Sequence, residues 1–182
     1  MHARVLIILS VVTVMSALPL AADSRDHVLR FTWRGHAQTA SKIVPPGDAQ
    51  HDAARCGTDP QAVISGAGVT TLLGQFMATQ SHCLRLADFS FYGGVFSYTT
   101  PDGKTVEGQY RGQFAPALLP PSQSPPRGSV LILGNLCVKG GTAHPRIVDD
   151  CAADRYSPAR GILNLDTGDG TVFLDYELGI RR

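Results

Sequence analysis

The sequence predicts an all-β protein: a single antiparallel β-barrel of about eight strands, with a two-sheet β-sandwich as the alternative. Three observations predict it. Apolar and polar residues alternate with period two in one segment after another, while helical periodicity is nearly absent. Glycine (19) and proline (12) are abundant and charged residues make up only 17% of the chain, the composition of a turn-rich fold. Turn sequences such as Pro101-Asp102-Gly103 stand between the alternating runs, where hairpins need them. Strands in such number must hide their edges; a closed barrel does so completely and a sandwich only in part. Glycines inside the strands suit the tight curvature of a barrel.

The chain starts with a signal of another kind. Met1 to Arg4 is short and basic, Val5 to Leu20 is almost wholly apolar, Ala21-Ala22 is small, and charge begins at Asp23. This is the pattern of a cleaved secretory signal, so residues 1–22 are expected to be removed and the domain to be 23–182. An uncleaved anchor fits less well, because an apolar core of about 16 residues falls short of the roughly 20 that span a bilayer, and Pro19 breaks it. No later stretch is long enough to span, so no membrane span is expected after cleavage. The product is then periplasmic or secreted.

The cysteines agree with export. Cys56, Cys83, Cys137 and Cys151 all lie beyond the signal, and an even number in an exported chain reads as two disulfides. Three pairings are open. The local one is preferred, with Cys137–Cys151 closing a short irregular loop. No C-x-x-C or H-x-x-x-H spacing occurs, so neither a metal nor a cofactor is expected. With 16 basic and 15 acidic residues the formal charge is +1, which gives no electrostatic footprint for nucleic acid.

Taken in order, the strands begin with Leu29, Phe31, Trp33, Gly35 and Ala37 on one face and Arg30, Thr32, Arg34 and His36 on the other. A loop over 41–60 contains Pro45-Pro46-Gly47 and room for one short helix at 48–55. Ile64 to Thr79 reads as one long extended segment whose Gly66, Gly68 and Gly74 mark bulges, bends or close approach. Phe89 to Thr99 and the strand after Gly103 form a hairpin. In that second strand Val106, Gly108, Tyr110, Gly112 and Phe114 share a face, and Thr105, Glu107, Gln109, Arg111 and Gln113 share the other. Residues 115–127 carry five prolines and read as a surface loop. Val130 to Leu136 is a near-continuous apolar strand, and 138–155 an irregular loop. Ile162 to Leu165 and Val172 to Ile180 pair around the turn 166–170. Val172, Leu174, Tyr176, Leu178 and Ile180 face one way there, and Thr171, Asp175 and Glu177 the other.

Several segments carry a family likeness: Thr70-Thr-Leu-Leu-Gly-Gln-Phe76, Phe96-Ser-Tyr98, the Asp102-Gly103 turn, Gly108-Gln-Tyr-Arg-Gly112, and Arg155-Tyr-Ser-Pro-Ala-Arg-Gly161 ahead of a last strand ending in Gly179. From Gly66 onward the chain resembles exported bacterial barrels related in architecture to plant allene oxide cyclase and dirigent proteins. It departs from them where Leu72 or Leu73 stands in place of a usual His. The glycine pair that precedes their Arg-aromatic segment is also missing here. The resemblance implies an eight-stranded barrel with a partly apolar interior and no particular chemistry.

Candidate sites follow from the faces. Tyr98, Tyr110, Phe114 and Tyr176, with Phe96, lie on apolar faces and are candidates for lining a small-ligand cavity, simple core packing being the other reading. Tyr110, Phe114 and Tyr176 are expected to point inward, and Glu107, Arg111 and Glu177 to solvent. His36, Glu107, Arg111, Asp175 and Glu177 read as a solvated outer face rather than acid–base machinery. His82 adjoins Cys83, but chain neighbours in a strand point to opposite faces, which argues against a nucleophile pair. Asp149-Asp150 and Asp166 to Gly170 read as turns, since neither completes a calcium loop. Ser65, Ser90 and Ser157 lack a G-x-S-x-G setting.

No catalytic residues are therefore assigned. Three functions remain: non-catalytic binding of a small apolar ligand or an envelope component, which the sequence favours; a cyclase or isomerase acting on an apolar substrate; and a structural or interaction protein with a filled barrel. The expected partner is a small apolar molecule, with oligomerisation left open.

Overall fold

The computed structural model describes residues 28–116, 128–144 and 146–181. The expected signal peptide, the start near Asp23 and residues 117–127 of the proline-rich loop lie outside the described residues. Eight strands form: β1 (Val28–Val44), β2 (Gln61–Thr70), β3 (Gly74–Arg85), β4 (Ser90–Thr99), β5 (Thr105–Pro116), β6 (Ser129–Gly140), β7 (Ser157–Asn164) and β8 (Asp169–Arg181). One short helix, α1 (Ala53–Cys56), lies between β1 and β2. Each strand pairs antiparallel with the next, and β8 returns to β1 to close the barrel. Closure gives every strand a partner on both sides over part of its length.

The strand glycines have a common use. Four inward aromatic rings each lie directly across from a glycine on the neighbouring strand: Phe76 from Gly68, Phe96 from Gly108, Tyr110 from Gly94 and Phe91 from Gly112. A Cβ on Gly108 would come within 2.5 Å of Phe96 Cζ, and one on Gly94 within 2.8 Å of the Tyr110 ring. The rings occupy the volume that the absent side chains leave, so a narrow barrel can hold large residues.

The interior divides into two clusters. The larger contains Trp33, Phe76, Phe96, Tyr98, Val138 and Tyr176, among others. It fills the half nearest the turns 71–73 and 100–104 and the β6–β7 connection, whose Ala143 and Ile147 pack against it with Leu72 and Leu73. The smaller contains Ala62, Leu84 and Phe91, with Ile64, Tyr110, Phe114 and Ile132 partly buried around them. It lies toward the opposite end, which carries the other turns.

Two disulfides form, Cys56–Cys83 and Cys137–Cys151. The first fastens α1 to the outer face of β3, and the second fastens β6 to the β6–β7 connection. Beside the second, Asp150 is fully buried. It accepts from Arg30 Nη1 at 3.0 Å and from the Tyr176 hydroxyl at 3.0 Å, and that hydroxyl accepts from the Val138 N–H at 3.0 Å. The closed end is thus held by a covalent bond and a buried polar network.

Several element boundaries differ from the sequence reading. Ile64 to Thr79 is two strands joined by a turn: the Thr70 hydroxyl accepts from the Leu73 N–H at 3.0 Å, and Gly74 takes a φ of 64°. The loop expected over 41–60 starts only after Val44, because residues 41–44 pair with 61–64 of β2. Ala115 and Pro116, expected in the loop 115–127, pair with Leu131 and Val130. Of the loop 138–155, residues 138–140 belong to β6. Strand β7 begins at Ser157, earlier than the apolar run from Ile162. Leu29 and Phe31 share the inward parity of Trp33 yet are 37% and 48% exposed, because β2 joins β1 only from Gly35 onward.

Candidate functional site

The inward positions of β3 are Phe76, Ala78, Gln80, His82 and Leu84, and the alternation carries a histidine into the barrel. His82 is only 5% exposed. Its Nδ1 lies 2.9 Å from the Tyr110 hydroxyl, while its Nε2 has no hydrogen-bond partner among the described residues. The ring is walled by aromatics, with centroids of Phe91 at 4.8 Å and Tyr110 at 5.6 Å. Two residues earlier on the same strand, Gln80 Nε2 donates to the Tyr98 hydroxyl at 3.2 Å.

Around these groups runs a cavity of about 80 Å³. Ile64, Phe91, Phe114, Ile132, Leu163 and Val172 form much of its apolar wall, and Gln80, His82, Tyr98 and Tyr110 supply the polar points. It occupies the half of the barrel toward Ile43, away from the closed end. Exposed apolar side chains stand at several turns and strand ends on that side: Ile43 at 53%, Leu86 at 66%, Phe89 at 67% and Leu165 at 60%.

Burial sets the protonation of the site. Burial first, and then the charge of Arg55, push the His82 pKa down from 6.5 to about 4, so the imidazole is neutral at physiological pH. Arg55 reaches this region from α1. Its guanidinium donates to the hydroxyl of Ser81, next to His82 on β3, at 2.8 Å and to the Gly93 carbonyl on neighbouring β4 at 3.1 Å. Burial also raises the phenols of Tyr98 and Tyr110 above their ordinary range. All three groups are held uncharged, as an apolar cavity requires.

Of the four residues expected to line a cavity, Tyr98, Tyr110 and Phe114 lie on this one. Tyr176 points inward but sits in the other cluster, its hydroxyl spent on Asp150 and Val138. Glu107, Arg111 and Glu177 are exposed, as are His36 and Asp175. Asp175 pairs with Arg34 at 3.1 Å, and Arg111 lies over the Tyr156 ring at 4.6 Å. Cys56, Cys83, Cys137 and Cys151 are all in disulfides. Sequence reasoning missed His82 as an interior group and Asp150 as a buried one. For His82 the signal existed: counting by twos from Phe76 places it inside. Among the described residues no three His, Cys, Asp or Glu side chains are grouped as a metal centre. No protein-family model, curated protein or solved structure matches this chain.

Proposed function

We propose that this barrel is a non-catalytic binding protein for a small, mostly apolar molecule, or for the inserted end of a larger one. The observation that carries the reading is His82 on a largely apolar cavity wall, its Nε2 unpartnered among the described residues. A buried polar atom left without a partner costs ~1–3 kcal/mol. A visiting group that meets it recovers that cost. At about 80 Å³ the cavity is well below the roughly 300 Å³ of a drug-sized site, which sets the size of what enters.

Catalysis is the second reading, and the hydrogen-bonded His82–Tyr110 pair is what favours it. A cyclase or isomerase would use that pair to move a proton. A base with a pKa of about 4 is poorly matched to proton abstraction near neutrality, which favours binding over turnover. Export belongs to the same proposal, supported by the signal-like residues 1–22 and by two disulfides of the kind that persist in oxidising compartments. So does kinship with the allene oxide cyclase and dirigent-like barrels, which rests on the motifs between Thr70 and Gly179.

The test is an NMR titration of methyl-labelled protein with cyclopentane and benzene. Saturable shifts at Ile64, Ile132 and Leu163 are expected, with none at Leu178 in the closed half. Uniform, non-saturating shifts across the molecule would refute a binding cavity.

A further inference from the structure

We infer that the cavity selects a hydrogen-bond acceptor, a neutral carbonyl or ether oxygen, because the His82–Tyr110 pair leaves the imidazole with an unspent N–H. The inference rests on the cavity being a ligand site, and deepens that reading by naming the group recognised.

Proton counting assigns the tautomer. The neutral imidazole carries one N–H, at Nδ1 or at Nε2. Among the described residues, the hydrogen bond made by the Tyr110 hydroxyl is the one to His82 Nδ1. If Nδ1 carried the proton and donated to the phenol oxygen, the phenol O–H would lack an acceptor and Nε2 would be a bare lone pair, two buried groups unmet. If Tyr110 donates to Nδ1, the Nε2–H is unmet and the phenol oxygen accepts nothing. The second arrangement is the cheaper one, since it satisfies the imidazole lone pair, a far stronger acceptor than a phenol oxygen. It also agrees with the loss of the second proton, because burial and the Arg55 charge both oppose the imidazolium.

The unmet group is therefore a donor, and its complement is an acceptor. A carboxylate is disfavoured: its charge would be stripped of water in a lining dominated by groups such as Phe91, Phe114 and Ile132, and Arg160, the charged residue of that lining, is itself exposed to solvent. An ammonium group or other pure donor, such as a pyrrole N–H, would place one hydrogen against another. A ketone, ester or ether oxygen meets the Nε2–H without bringing a donor of its own into the cavity.

Three five-membered rings of matched size separate these cases: cyclopentanone offers an acceptor, pyrrole a donor and cyclopentane neither. Titrated by NMR against the intact, oxidised protein, cyclopentanone is expected to bind about tenfold more tightly than cyclopentane, with pyrrole no tighter than cyclopentane. In His82→Phe the preference for the ketone is expected to vanish while cyclopentane still binds. An independent readout needs no variant. Long-range proton–nitrogen spectra of protein labelled at histidine nitrogens are expected to place the His82 proton on Nε2 at neutral pH. A proton on Nδ1, or pyrrole binding more tightly than cyclopentanone, overturns the inference while leaving the cavity a ligand site. Failure of all three rings to bind overturns the binding reading and this inference with it.

Discussion

Replacing Asp150 by alanine tests whether the closed end is held as described. The carboxylate is fully buried, its side chain 1% exposed, and it accepts from Arg30 and from the Tyr176 hydroxyl. In Asp150→Ala the Tyr176 O–H loses its acceptor inside the core, at ~1–3 kcal/mol. Arg30 loses its counter-ion, but its side chain is 32% exposed and can turn to water, which limits that share to about 1 kcal/mol. The sum is about 3 kcal/mol. For a domain of this size that lowers the melting temperature by roughly 6–12 °C. Thermal and urea unfolding followed by far-UV circular dichroism, with both disulfides oxidised, measures it. Asp150→Asn keeps an acceptor for Tyr176 and should lose about half as much. Asp150→Ala combined with Tyr176→Phe should show a coupling of at least about 1 kcal/mol, because the two groups share one hydrogen bond. A loss below about 1 kcal/mol in Asp150→Ala, or additivity in the double variant, would refute the reasoning.

Acid should weaken the fold through His82. Its folded pKa of about 4 lies below the unfolded 6.5, so between these values the unfolded chain takes up a proton that the folded chain refuses. Stability is then fully present above pH 6.5 and falls toward pH 4 by up to about 3 kcal/mol; His82→Gln should flatten that part of the profile, and an unchanged slope would count against a buried neutral imidazole. Cys56–Cys83 and Cys137–Cys151 close loops with sequence separations of 27 and 14, so paired serine substitutions should cost roughly 3.5 and 3 kcal/mol respectively in urea unfolding. A reversed order would show that native packing, rather than chain entropy, sets the difference. Gly108→Ala places a methyl against the Cys137 carbonyl oxygen and within 2.5 Å of Phe96 Cζ and should destabilise by ~1–3 kcal/mol in a thermal melt, whereas an unchanged melt would mean that both the ring and the β6 backbone can give way.

The barrel was legible because alternation is a strong signal wherever one face is wet and the other dry. Strands β5 and β8 read out residue by residue: Tyr110 and Tyr176 point inward and Glu107 and Glu177 point outward, as their parity required. Boundaries were less legible where local chemistry was unusual. The β2–β3 turn contains Leu72 and Leu73, apolar because they pack against the core at the closed end, so it lacked the polar residues that normally mark a turn. Running the two strands together ended the segment at Thr79, so the inward parity that starts at Phe76 was not carried on to His82. One misplaced turn thus hid the most unusual group in the interior. Asp150 was hidden for another reason. It is local in sequence to a turn but pairs with Arg30 and Tyr176, 120 and 26 residues away, and only the closed topology brings them together.

Tyr110 and Tyr176 make a direct comparison within one molecule. Both are phenols on inward faces, and burial raises both above their ordinary range. The Tyr176 hydroxyl donates to a carboxylate and accepts from a backbone N–H, so its hydrogen-bonding capacity is used within the fold. The Tyr110 hydroxyl meets only the His82 ring among the described residues, and that ring ends in an unpartnered nitrogen. The first arrangement lowers the energy of the closed end and asks for nothing further. The second leaves a polar atom unmet in an apolar cavity, a cost that the packing around it must carry in the empty state. Stabilisation and recognition are therefore separated along the barrel axis, with the Asp150 network and Cys137–Cys151 at one end and the His82 cavity toward the other. A rigid closed end lets the cavity half keep an unmet donor without losing the fold, the division of labour expected when a site is built on a scaffold that other residues hold.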